Sequence, residues 1–157
     1  MSYAARVLQP GETIVYEARI HGIVYFGGLV LVLAAVVFAI AAVVMNSDAL
    51  RLGLMAAAVI ALLLGLAQIV QAWVKVAGTE ITVTSQRVIY KIGILSRSTV
   101  EMNLDKVESV LVQQSLVGRM LDFGTVIVRG VGAGLEPVNL VANPLELHRH
   151  IGAPSPA

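Results

Sequence analysis

The sequence predicts a membrane α plus soluble β protein, with a two-helix transmembrane hairpin followed by a small antiparallel β-barrel or sandwich that ends in a C-terminal helix. Three observations predict it. Two long stretches carry no charge, Gly22 to Met45 and Leu52 to Val74. Residues beyond Lys75 switch to β-branched, alternating patterns bounded by Gly, Ser and Asn. Overall, 57% of the 157 residues are apolar, only 13% are charged, and mean hydropathy is +0.84. Soluble domains carry about 25% charged residues and about 45–50% apolar ones, so an ordinary soluble enzyme and a disordered chain are both poor fits. The chain has no Cys, which removes disulfides, thiolate metal sites and a Cys nucleophile. A net charge of +1 leaves no footprint for nucleic acid.

Taking the elements in order, residues 1–21 precede the first apolar run. Within them Ile14, Tyr16, Ala18 and Ile20 alternate with Val15, Glu17 and Arg19, which predicts a strand. An unpaired strand is an aggregation hazard, so Ile14, Tyr16 and Ala18 are expected to pair at a sheet edge, in the same chain or a neighbour. Residues 22–74 form the hairpin, with helices about 22–45 and 52–74. At about 1.5 Å per residue each run is long enough to cross a hydrocarbon core of about 30 Å. Buried core helices seldom run so far without a charge. Ala39-Ile40-Ala41 has the small residues of a signal cleavage site, but the run before it is longer than a signal core and a second run follows at once. The first helix is therefore expected to stay in the protein.

Arg6 and Arg19 precede the hairpin, Lys75, Arg87 and Lys91 follow it, and only Arg51 lies in its loop. The positive-inside bias then puts both termini in the cytoplasm, with Tyr25, Phe26 and Trp73 near that interface. On the second helix Gly53, Ala57, Ala61, Gly65, Gln68 and Ala72 share one face, a pattern that lets helices approach closely. The partner is either another chain or the first helix of the same hairpin, through Gly28, Ala35, Ala39 and Ala42.

Residues 75–151 read as the cytoplasmic domain. Thr79–Thr84 and Arg87–Ile92 alternate around a Ser85-Gln86 turn and predict a hairpin. Further strands are expected at about Arg97–Leu104 and Val107–Gln113. Ser115 caps a short helical turn in which Leu116, Met120 and Leu121 share a face. A second hairpin joins Thr125–Arg129 to Glu136–Val141 across the Gly130–Gly134 loop. Asn143-Pro144 opens a short helix to about Ile151, and residues 152–157 are expected to be a disordered tail. Strands closed by a terminal helix describe the pleckstrin-homology (PH) superfold.

The local sequence resembles bacterial PH-like domains of small membrane proteins with an N-terminal transmembrane hairpin. The residues carrying the resemblance are Thr79-Glu80-Ile81-Thr82-Val83-Thr84 with Arg87-Val88-Ile89, then Gly93-Ile94-Leu95 and Gln113-Gln114-Ser115-Leu116-Val117-Gly118-Arg119. Phe123-Gly124-Thr125, Asn143-Pro144 and the early Pro10-Gly11-Glu12 complete it. The resemblance implies an integral protein of the bacterial inner membrane.

No catalytic set is assembled. His148 and His150 point to different faces of a helix without a third ligand. Gly130-x-Gly132-x-Gly134 runs into a strand rather than opening a helix, unlike a phosphate cradle. Glu101, Asp105 and Glu108 are expected on a solvated face. The reading is therefore a non-enzyme without cofactor or metal, a membrane-anchored module that scaffolds protein contacts at the cytoplasmic face by homo-oligomerisation. Its expected partners are membrane lipids, copies of itself and other membrane proteins, not nucleic acid. Two rivals stay open. Arg87, Lys91 and Arg97 could contact anionic lipid headgroups, or the hairpins could line a pore, with Gln68 and Gln71 the only amides deep in the spans.

Overall fold

In a computed structural model the chain divides into two compact units. One is residues 22–75; the other combines residues 1–21 with 76–157. Residues 7–93, 98–131, 133, 134 and 137–152 are described. Arg6, Arg97, Gly132, Glu136 and the tail 153–157 fall outside them.

The first unit is a helical hairpin. A 3-10 turn at Gly22–Tyr25 leads into α1, Phe26–Val44, and α2 follows at Asp48–Gly78. The second helix therefore extends beyond the apolar run 52–74 at both ends, starting with an acidic residue and ending three residues past Lys75. Asp48 at the start and Lys75 in the last turn both complement the helix dipole, which lets the helix continue past its apolar stretch. Each helix is long and apolar enough to cross a membrane, and only 17% of its most apolar window is covered by protein.

Small residues line the contact between the helices. Gly28, Ala35 and Ala42 are buried on α1, and Ala58, Ala61, Gly65 and Ala72 on α2. The closest approach is at Gly28 and Gly65. A methyl group on Gly65 would lie 3.0 Å from both Gly28 O and Val32 N, and one on Gly28 would lie 2.6 Å from Ile69 Cγ1. Of the six-residue stripe on α2, Ala61, Gly65 and Ala72 thus pack inside the chain's own hairpin. Ala57 is half-buried, Gly53 and Gln68 are exposed, and Gln68 Oε1 lies beside Gly27.

The second unit contains two antiparallel sheets. The strands are β1 (Ile14–Ala18), β2 (Glu80–Thr84), β3 (Arg87–Ile92), β4 (Ser98–Asn103), β5 (Val107–Gln113), β6 (Phe123–Gly130), β7 (Ala133–Gly134) and β8 (Val138–Ala142). One sheet has the order β1-β2-β3-β4; in the other, β6 pairs β5 on one side and β7 and β8 on the other. A short helix α3 (Leu116–Met120) precedes β6, and α4 (Pro144–Gly152) follows β8. Ile81, Val88, Tyr90, Val126, Val128 and Val138 bound the space between the sheets, and all are buried. Alternation turns one face of each strand toward the opposite sheet, and in β2 and β3 the residues of the other face, Thr82 and Ile89, are buried as well. On α4, Pro144, Leu147 and Ile151 lie at the three- and four-residue spacing of one helix face and are buried against the sheets.

The β1 strand pairs with β2 of its own chain, Ala18 opposite Ile81 and Glu17 opposite Thr82. The segment then crosses to the other sheet. Ile20 bridges Val141, Arg19 O accepts from Ala142 N at 2.9 Å, and Leu140 O accepts from His21 N at 2.6 Å. Leu140 adopts φ +60°, beside a register shift between Gly124 and Val126. A left-handed leucine is strained by about 1–3 kcal/mol, and here it accompanies the bulge whose carbonyl receives the incoming segment. The N-terminal segment thereby links both sheets.

Overpacking the helix contact tests the hairpin. Gly65→Val should destabilise the detergent-solubilised chain by about 1–3 kcal/mol, read as a lowered melting temperature. Gly53 has open space around it, so Gly53→Ala should raise stability by about 1 kcal/mol.

Candidate functional site

The most polar buried cluster is built by a turn that no strand pattern marks. Pro10 and Gly11 occupy the centre of a tight turn in which Glu12 N donates to Gln9 O at 2.9 Å. Gly11 has φ +85°, the conformation the third residue of a type II turn requires after proline. The turn carries the Glu12 carboxylate into the domain, where its side chain has 0% exposure.

Every bond that carboxylate needs is present. It accepts from Gln9 N (2.8 Å), Thr84 Oγ1 (2.6 Å), and Arg87 Nε and Nη2 (3.0 and 2.9 Å). Arg87, with 11% side-chain exposure, also donates to Glu101 Oε2 at 2.8 Å and to Val7 O at 2.9 Å. Thr84 Oγ1 in turn accepts from Arg87 N at 3.0 Å, which closes the β2–β3 turn. Burial alone would raise the Glu12 pKa. The Gln9 amide, the Thr84 hydroxyl and the Arg87 guanidinium outweigh it and hold the carboxyl below its ordinary value.

This arrangement changes the role the sequence suggested for Arg87. Its cation is shared between two carboxylates and a backbone carbonyl, and so serves as a structural clasp. Glu101, expected on a solvated face, is one of those partners. Lys91 sits at the far end of β3, 3.7 Å from Glu80 Oε1, and Arg97 lies outside the described residues. A polar hollow of about 330 Å³ beside Arg87 is lined by Gln9, Ser85, Gln86, Asn103, Leu104 and Asp105. It offers an anion a neutralised guanidinium and a carboxylate of its own, which disfavours phosphate. The space between the sheets, bounded by Ile81, Tyr90, Val126 and Leu147, is about 10 Å³, too small for a ligand. Among the described residues no group of three His, Asp or Glu could hold a metal.

The predicted edge residues are brought to a second contact. Tyr16 stacks on His150 of α4, ring centroids 4.6 Å apart and 10° from parallel. The His pair is thus divided, since His148 is exposed whereas His150 packs on β1 and its Nδ1 lies 2.9 Å from Glu146 O. Burial, followed by the Glu146 carboxylate, pushes the Tyr16 hydroxyl above its ordinary pKa. Sequence reasoning had not assigned Glu12 a role; the Pro-Gly turn before it was the available signal.

Breaking the clasp should be costly. Arg87→Met leaves a buried carboxylate unpaired, and the expected loss is about 3–5 kcal/mol, read by thermal unfolding of the full chain. The double variant Glu12→Leu with Arg87→Met should lose less than the sum of the single changes. Because the folded-state pKa of Glu12 is depressed, its contribution is complete above the unfolded carboxylate value of about 4.3. It is lost as pH falls through the lower folded value. Wild-type stability should therefore fall in acid more steeply than that of the double variant.

No curated protein and no solved structure matches the chain. A comparison with known protein families matches residues 18–153 to one described as the bacterial PH domain. That match runs from Ala18 at the end of β1 through both helices and the two sheets to α4, and PH domains are generally non-enzymatic. The chain belongs to the bacterial PH domain family.

Proposed function

We propose that this chain is a non-catalytic PH-like module, anchored by its helical hairpin in the bacterial inner membrane, that organises protein contacts at the cytoplasmic face by associating with copies of itself. Two long apolar helices with little covered surface support the anchoring. The pairing of β1 with β2 supports a single-sided topology, because the segments before and after the hairpin belong to one sheet. The flanking Lys and Arg residues favour the cytoplasm for that side.

One observation carries the self-association. Among the described residues, β4 pairs only with β3 and β5 only with β6, and each strand exposes an apolar side chain, Val100 and Leu111. Open edges of this kind bond to a further strand through main-chain groups. The small-residue stripe supplies less, since Ala61, Gly65 and Ala72 already serve the intrachain contact. Headgroup sensing through Arg87 would require it to leave Glu12 and Glu101.

Light scattering of the full chain in mild detergent and in nanodiscs tests the reading. The expected mass is a small multiple of the 16.6 kDa protomer. Val100→Lys or Leu111→Lys should reduce it to one protomer without altering the circular dichroism. Wild-type protein that is monomeric in both environments overturns self-association. A protease-sensitive tag at either terminus should be cleaved from the same side of inverted vesicles; cleavage from opposite sides overturns the topology.

A further inference from the structure

The short helix α3 carries an apolar surface that the domain does not cover. Leu116 is 80% exposed and Met120 86%, and Val117 and Leu121 are exposed beside them. The sequence grouped Leu116, Met120 and Leu121 on one face, and that face points outward. It is not a loose end. Ser115 Oγ accepts from Gly118 N at 3.0 Å, and Gln114 Nε2 donates to Phe123 O at 3.2 Å. Gly118 is the residue turned inward, and a methyl group there would lie 2.6 Å from Phe123 O. A glycine on the inner side and bulky residues on the outer side is the reverse of a helix built to cover a core. Contiguous exposed apolar side chains on a fixed platform mark a surface that something else covers.

The position of α3 in its own domain bears on what could cover it. Phe123, on which α3 rests, packs against the ring of His21 with centroids 5.3 Å apart. His21 is the last residue of the domain before the chain enters the first apolar helix at Gly22. The exposed side chains therefore lie at the end of the domain where the chain departs for the membrane-spanning hairpin. The charged residue within α3 is Arg119, a cation that is also exposed. Apolar side chains around a cation suit the interfacial layer of a bilayer, where the chains reach acyl groups and the guanidinium reaches phosphate.

We propose that Leu116, Val117, Met120 and Leu121 insert into the interfacial layer of the bilayer that holds the hairpin, as a contact separate from the helices. This inference rests on the membrane-spanning reading of the hairpin.

The test uses the full chain reconstituted in vesicles of phosphatidylcholine and phosphatidylglycerol, with or without brominated acyl chains that quench tryptophan on contact. Trp73, the only tryptophan, reports the hairpin in wild-type protein. Met120→Trp in a Trp73→Phe background reports α3. Quenching at both positions, with blue-shifted emission at position 120 and loss of its accessibility to aqueous acrylamide, is the expected result. Quenching of Trp73 alone, with position 120 emitting as in water, overturns insertion and leaves the hairpin reading intact. Blue-shifted emission at position 120 without lipid quenching overturns it in favour of a protein cover, such as a second copy. Absence of quenching at Trp73 overturns the membrane-spanning reading and this inference with it.

Discussion

The buried pairing of Glu12 with Arg87 is the constraint on which the domain depends. A carboxylate with no exposure would be strongly destabilising unless its lone pairs were filled and its charge balanced. Here two backbone and hydroxyl donors and a bidentate guanidinium meet it. Glu12 and Arg87 are separated by 75 residues of sequence, with the whole helical hairpin between them. Forming the pair therefore draws the segment before the helices onto the sheet after them. β1 then follows in register beside β2, and Ile20 continues to β8 in the second sheet. A segment outside the hairpin in sequence becomes a structural strand of the domain.

That closure also determines which surfaces are left for function. The cation nearest the β2–β3 turn is consumed inside the fold, so recognition of an anion there would compete with stability. Among the described residues, the space between the sheets bounded by Ile81, Tyr90, Val126 and Leu147 is about 10 Å³. The small residues of the two helices are spent largely on one another, Gly28 against Gly65 foremost. Among the described residues, surfaces still open include the outer edges of β4 and β5 and the apolar face of α3. These are the surfaces on which the proposed contacts with lipid and with copies of the chain would fall.

Much of the fold was legible because its signals are local. Runs of residues without charge specify membrane-length helices, and alternation around Ser85-Gln86 specifies a hairpin, since each depends only on neighbours in sequence. Ser115 and Asn143-Pro144 announced their helices for the same reason. The second helix ran past its apolar stretch because Asp48 and Lys75 favour helix ends, a preference that hydropathy does not register. The site was less legible. Nothing local tells Arg87 apart from Lys91, and only the distant Glu12 turns one into a clasp. At the bulge Leu140 takes a left-handed φ and its carbonyl accepts from His21 N, a tertiary contact that local sequence does not announce. Helical spacing grouped Leu116, Met120 and Leu121, but spacing gives a face and not its direction; the inward side is set by Gly118 lying against Phe123.

The central claim is that the N-terminal segment is an integral strand held by the clasp, and amide hydrogen exchange of the full chain measures it most directly. If the claim holds, the amides of β1 that pair with β2 exchange as slowly as those of β2 and β3, and Arg87→Met accelerates exchange in β1 ahead of the rest of the sheet. Fast exchange across Thr13–Arg19 in the wild-type protein, with β2 and β3 protected, would contradict it.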